Sequence, residues 1–217
     1  MLTPRRDASP LTNTVLLLVF AALVLSYFAM AAVTPGRTLF VPELALDRAV
    51  PLRPAWTPVY LSLWVFSFLP LFVVRDVEQR QRTILAYIAT VITAYAGFLI
   101  VPTSAPRPVV VPGDGIFEWC LRTLYALDPP YNCFPSLHVA YSFLAALSAY
   151  RVHRGFGVVA ISWAVLVGIS TLFIKQHYAA DVVAGAAMAV AAYAIFLGLP
   201  RRSLRAGVLP AGHQSTP

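Results

Sequence analysis

Two short stretches of this chain, Phe134-Pro135-Ser136-Leu137-His138 and His177-Tyr178-Ala179-Ala180-Asp181, hold the side chains best suited to chemistry. Each sets a histidine at the edge of an apolar run, where a polar group placed in a bilayer is costly. His177 and Asp181 stand at i and i+4, which predicts neighbours on one helix face. A carboxylate there can accept a proton from one imidazole nitrogen and fix the tautomer, leaving the other nitrogen free to attack or bind. Ser136 precedes an apolar run and is predicted to cap a helix. The first-turn N–H groups of that helix, that of Leu137 among them, offer an anion site within reach of His138. Arg107, held between Pro106 and Pro108, adds a planar fork matched to phosphate oxygens. Two histidines, an orienting carboxylate and an arginine form a phosphoryl-transfer set that requires no metal or other cofactor.

Composition says what must position them. The chain is 59% hydrophobic and 12% charged, with mean hydropathy +0.73, more apolar than a soluble core requires. Six runs approach the ~20 residues that cross ~30 Å of hydrocarbon: 13–33, 56–74, 83–102, 137–150 with its flanks, 155–174 and 178–199. They are continuous and do not alternate, so helices are expected. The predicted fold is all-α, a polytopic bundle of six transmembrane helices over 13–199. A short cytoplasmic segment, 1–12, precedes it and a polar tail, 200–217, expected to be disordered, follows. The first run is too long for a signal-peptide core and lacks a small-residue cleavage site.

Basic residues set the expected orientation. With both termini inside, Arg5, Arg6, Arg75, Arg80, Arg82, Arg151, Arg154, Arg201, Arg202 and Arg205 are cytoplasmic, against Asp7, Asp76 and Glu78 only. The opposite side carries Arg37, Arg48, Arg53, Arg107, Arg122 and Lys175, matched by Glu43, Asp47, Asp114, Glu118, Asp128 and Asp181. The whole net charge of +7 then lies on one side, as the positive-inside rule expects. Lipid headgroups suffice as partners for these arginines, and no nucleic acid is called for. Both histidine stretches fall on the periplasmic or extracellular face of a plasma (inner) membrane.

Cys120 and Cys133 share that face, where a disulfide worth ~3 kcal/mol and two free thiols are equally open readings. Residues 34–55, with Pro35, Pro42, Pro51 and Pro54, are not expected to form one regular helix. Ile116 to Leu127 is amphipathic and predicted to lie along the interface, anchored by Phe117, Trp119 and Tyr125. Trp56, Trp64, Trp119 and Trp163 read as belt or packing residues. His153 and His213 read as solvated.

The spacing of these residues resembles the type 2 phosphatidic acid phosphatase superfamily over roughly 95–190. That pattern runs Lys-x6-Arg-Pro, then Pro-Ser-Gly-His, then Ser-Arg-x5-His-x3-Asp. Arg107-Pro108 matches the end of the first block, Pro135-Ser136 with His138 the second, and Ser170, His177 and Asp181 the third. The resemblance implies a lipid phosphatase in which His177 is the nucleophile that becomes a phosphohistidine, Asp181 orients it, and His138 protonates the leaving alcohol. Arg107, Ser136, Ser170 and nearby N–H groups such as that of Leu137 would hold the phosphate.

Departures from the pattern are as informative. Ile100 stands where the lysine of the first block belongs, Thr171 where the arginine of the third does, and Leu137 in place of glycine. Lys175 can replace one cation if the chain there is extended, because i and i+2 then share a face. The Pro-Ser-Leu-His form is similar to the branch with inositol phosphorylceramide synthase, and sphingomyelin synthases share a His-Tyr-x-x-Asp block. Those relatives pass a phospho-headgroup to a lipid or alcohol acceptor, and a weaker cationic set suits a phosphodiester.

Other readings stay open on residues alone. His138 and His177 can be interfacial groups, and the His177/Asp181 pair an ordinary polar contact between helices. His138, His177 and Asp181 could ligate a metal. The chain could also be a transporter or lipid-binding protein without turnover, although ionisable residues in mid-span and paired broken helices are missing.

Overall fold

The computed structural model describes residues 10–34 and 36–198. Arg5, Arg6, Asp7 and Pro35 lie outside the described residues, as do the expected tail with Arg201, Arg202, Arg205 and His213. Among the described residues all regular structure is helical, apart from two isolated bridges, Phe40 with Thr103 and Ser104 with Tyr131.

Helix α1 (Pro10–Leu25) runs through Ser26 into α2 (Tyr27–Val33), because the Ser26 N–H still reaches the Ala22 carbonyl and Met30 N–H that of Ser26. Residues 36–56 follow the predicted irregular course, with one short helix, α3 (Ala45–Ala49), and a 3₁₀ turn at Pro54–Trp56. The expected span 56–74 is three pieces: α4 (Thr57–Leu61), α5 (Leu63–Phe66) and α6 (Leu69–Val73). Pro58 and Pro70 each open a piece, lacking the N–H that a continuous helix would use. The predicted 83–102 span is longer at its start: α7 covers Val77–Ile100, capped by the Asp76 carboxylate on Gln79 N–H. The amphipathic segment is helix α8 (Ile116–Leu127), which buries Leu121 and exposes Ile116, Trp119 and Leu127.

Helices α9 (Leu137–Val152), α10 (Arg154–Phe173) and α11 (Ala179–Phe196) complete the chain. His153 separates α9 from α10 and caps the latter, its Nδ1 accepting from Phe156 N–H at 3.1 Å. Gly157 makes this tight hairpin possible, since a Cβ there would lie 2.1 Å from Tyr150 Cα. Ala146 and Ala149 pack on Ala160 and Ala164, small residues that let backbones approach. Helix α9 is the centre of the bundle, packed by α10, α11, α7 and α6.

Four helical stretches are long and apolar enough to cross a membrane: Leu11–Met30, Val77–Ile100, Arg154–Phe173 and Ala179–Phe196. The other two expected spans differ for stated reasons. Residues 56–74 are broken at prolines, and α9, at 16 residues, reaches only about 24 Å. Glu78, Gln79, Arg82, Arg151 and Leu197 meet at one end of the bundle. The segment 36–56 and the turns after α7 and α10 meet at the other, through Phe40 N–H to Pro102 O and Arg53 N–H to Phe173 O.

Candidate active site

Backbone contacts bring the two histidine stretches together. Ser136 is the N-cap of α9, its Oγ accepting from Val139 N–H at 3.3 Å. Its own N–H donates to the Asp181 carbonyl at 3.1 Å. Gly185, one turn further along α11, faces the same residue, and a Cβ there would lie 2.4 Å from Ser136 O. On the other side a Cβ at Gly97 would meet Pro135 Cδ at 2.7 Å. Absent side chains on α7 and α11 thus let the start of α9 seat between them.

His177 does not lie on a helix with Asp181, as the i, i+4 spacing predicts; it precedes α11. The chain leaves α10 through Lys175, whose φ of 55° is left-handed, and the N–H groups of Gln176 and His177 both turn back to Thr171 O. Tyr178 is the N-cap of α11 and Asp181 its third residue, so the carboxylate Oδ2 takes Tyr178 N–H at 2.9 Å. The expected contact forms all the same by this capping route: His177 Nδ1 is 3.5 Å from Asp181 Oδ2. Asp181 is fully buried and His177 is 5% exposed.

His138 Nδ1 lies 2.9 Å from His177 Nε2, and its Nε2 lies 2.9 Å from Tyr60 Oη. One set of tautomers satisfies both 2.9 Å contacts, while His177 Nδ1 makes no hydrogen bond and lies 3.5 Å from Asp181 Oδ2. The Tyr60 hydroxyl donates to His138 Nε2, His138 Nδ1–H donates to His177 Nε2, and His177 Nδ1–H faces Asp181. The His177 nitrogen that carries a lone pair then points away from the carboxylate, as a nucleophile requires.

Arg107 lies beside this row. Its Nη1 donates to Asp128 O at 2.5 Å and Tyr125 O at 3.3 Å, its Nη2 donates to Gln176 Oε1, and its guanidinium covers the Tyr125 ring at 4.6 Å. The Asp128 carboxylate is 3.8 Å from Nη2. Burial pushes the Asp128 carboxyl up from its ordinary range, against the opposing pull of Arg107. Arg107 Nε and Gln176 Nε2 are buried donors without a partner among the described residues.

Two residues read as phosphate ligands are committed elsewhere. Lys175 is left-handed instead of extended, and its ammonium donates to Val50 O at 2.5 Å and Asp47 O at 3.0 Å. The Ser170 hydroxyl is buried and bonds Val167 O within its own helix. Ile100 is 78% exposed, and the hydroxyl of Thr171 bonds Gly168 O. Leu137 opens α9, and it also lines a cleft with His138. Cys120 and Cys133 are free thiols. Among the described residues no group of three His, Cys, Asp or Glu side chains is placed to hold a metal.

Residues that composition and spacing did not single out complete the site. Tyr60 comes from α4 and Gln176 from the position before His177. Asp47, buried on α3, accepts Ala179 N–H at 2.8 Å and so ties the start of α11 to the 45–50 segment. The adjacency of Gln176 to His177 is the one of these signals legible in sequence.

A cleft of about 600 Å³ opens on His138. Its walls are apolar and aromatic, from Tyr27, Phe28, Trp64, Trp119, Leu124 and Leu127. Residues 55–195 match the PAP2 superfamily. The chain belongs to that superfamily. Its members act on phosphate esters, which accords with the row of histidines beside an arginine. A PA-phosphatase related-family protein of Dictyostelium discoideum is 28% identical over 119 residues, covering 49% of this chain and 22% of the relative. The chain therefore spans about a fifth of the length of that curated relative. No solved structure matches.

Proposed function

We propose that this PAP2 superfamily member is an integral membrane phosphoesterase that acts on a lipid phosphate through a phosphohistidine. The observation that carries the reading is the row Asp181, His177, His138, with His177 Nε2 2.9 Å from His138 Nδ1. In the first half-reaction the His177 Nε2 lone pair forms an N–P bond as the P–O bond to the lipid alcohol breaks. The electron pair goes to the departing oxygen, and His138, which enters this step as the imidazolium, supplies its proton and is left neutral. In the second, water loses its proton to His138 and its oxygen takes the phosphorus, which frees His177. Arg107 offsets the charge on the equatorial oxygens. A lipid substrate is supported by the apolar cleft at His138 and by the four apolar helices. In this reading the bundle spans the bilayer six times, with 56–74 and α9 as the irregular crossings. Both termini are cytoplasmic and the site opens on the outer leaflet of the plasma membrane.

Headgroup transfer is the second reading, in which an alcohol or lipid hydroxyl replaces water. Its support is the charge count. Ile100 faces away, Thr171 is neutral and Lys175 holds carbonyls, so Arg107 is the cation beside the histidines among the described residues. A phosphodiester, with one negative charge, matches a single cation better than a dianionic monoester does.

Purified protein in detergent, offered a lipid phosphomonoester and a lipid phosphodiester, separates the readings. Released inorganic phosphate indicates hydrolysis, and a labelled headgroup on an added alcohol indicates transfer. Acid-labile label on the wild type and none on His177→Ala is expected in both. A fully active His177→Ala protein overturns both.

A further inference from the structure

We propose that Gln176 is a phosphate-contacting residue that sets charge selectivity, donating through Nε2 in place of the cation that the family pattern has at Thr171. The inference rests on the phosphoesterase reading above.

Chemistry fixes the orientation of this amide. A guanidinium only donates, so the Gln176 atom that meets Arg107 Nη2 is the carbonyl oxygen, and Nε2 must face elsewhere. Gln176 is 2% exposed, and Nε2 finds no acceptor among the described residues. A buried amide N–H left without a partner is costly and calls for an occupant. Arg107 Nε, on the side chain that Gln176 touches, is in the same condition. Two adjoining side chains thus each carry an unused buried donor, which is the complement of an anion. The next residue is the candidate nucleophile His177, and the anion proposed for these donors is the phosphorus group that its Nε2 would attack.

The backbone explains why a residue at 176 can do the work of one at 171. Gln176 N–H and His177 N–H both bond Thr171 O, so the turn folds back and sets position 176 beside 171. The substitution changes charge, since glutamine donates without adding a cation. With Arg107 faced by the Asp128 carboxylate at 3.8 Å and Asp181 behind His177, a second negative charge on the phosphorus group finds nothing to offset it.

The test compares kcat/KM for a lipid phosphodiester and a lipid phosphomonoester, together with calorimetric titration of inorganic phosphate, in wild type, Gln176→Lys and Gln176→Glu. Glutamate keeps the acceptor for Arg107, so that variant preserves the packing. It is expected to weaken phosphate binding by about tenfold to a hundredfold and to lose more activity on the monoester than on the diester. Lysine is expected to move the ratio the other way, toward the monoester. A diester-to-monoester ratio and a phosphate affinity unchanged in folded Gln176→Glu overturn the assignment. A wild type that binds phosphate but turns over neither ester overturns the phosphoesterase reading instead, and the titration still decides the role of Gln176. A wild type that neither binds nor turns over overturns both.

Discussion

His138 Nδ1 and His177 Nε2 hydrogen-bond each other at 2.9 Å, so in this state each ring occupies the nitrogen the other would use. A phosphorus atom and its leaving oxygen do not fit between atoms that close. The rings must part when an ester enters, and the ester then replaces the bond they lose. Backbone ties hold the rest of the site during that exchange, since Ser136 N–H stays on Asp181 O.

The roles of the row members differ in size. His177→Ala is expected to abolish turnover, and His138→Ala to slow it by about 10²–10⁴-fold. Asp181→Asn should be intermediate, because the carboxamide can still cap Tyr178 N–H. Rates on a soluble-chain phosphate ester, with membrane insertion verified, check the order.

Tyr60→Phe removes the hydroxyl that donates to His138 Nε2 and nothing else. The expected loss is a few-fold to tenfold in kcat, the worth of one neutral hydrogen bond, with a displaced pH–rate profile. An unaltered profile would show that Tyr60 only fills space.

Gly185→Ala puts a methyl group 2.4 Å from Ser136 O. Backbone must move, so a stability loss of about 1–3 kcal/mol is expected, with activity falling more steeply than at an ordinary packing site. Thermal unfolding in detergent and kcat measured together give the comparison.

Asp128→Asn tests the sign of a buried charge. Burial raises the carboxyl in the folded protein, so the fold favours its neutral form. That stability is fully present below the ordinary carboxylate value of about 4 and is lost as pH rises through the raised one. The asparagine variant should lack this decline, seen as a flatter dependence of the melting temperature between pH 4 and 7. The Asp128 carbonyl still receives Arg107 in the variant.

The helices were legible where apolar runs are long, as in α7 and α10. They were less so at 56–74, where Pro58 and Pro70 divide a run that hydropathy alone reads as one. The candidate residues His138, His177, Asp181 and Arg107 are legible because each stands in a block of distinctive spacing. Their partners are not. Tyr60 meets His138 from 78 residues away, and nothing about a tyrosine in an apolar run announces that. Lys175 would share a face with His177 only in an extended chain, and its left-handed φ of 55° does not meet that condition. Its carbonyl partners at Asp47 and Val50 come from far earlier in the chain.

Those carbonyls carry a wider consequence. The turn bearing His177 takes its shape from the 45–53 segment, through Lys175 on Asp47 and Val50, Ala179 on Asp47, and Arg53 on Phe173. The region that matches the superfamily begins only at residue 55. The motif is therefore not portable: transplanted without its preceding ten residues, it would keep every candidate side chain and lose its aim.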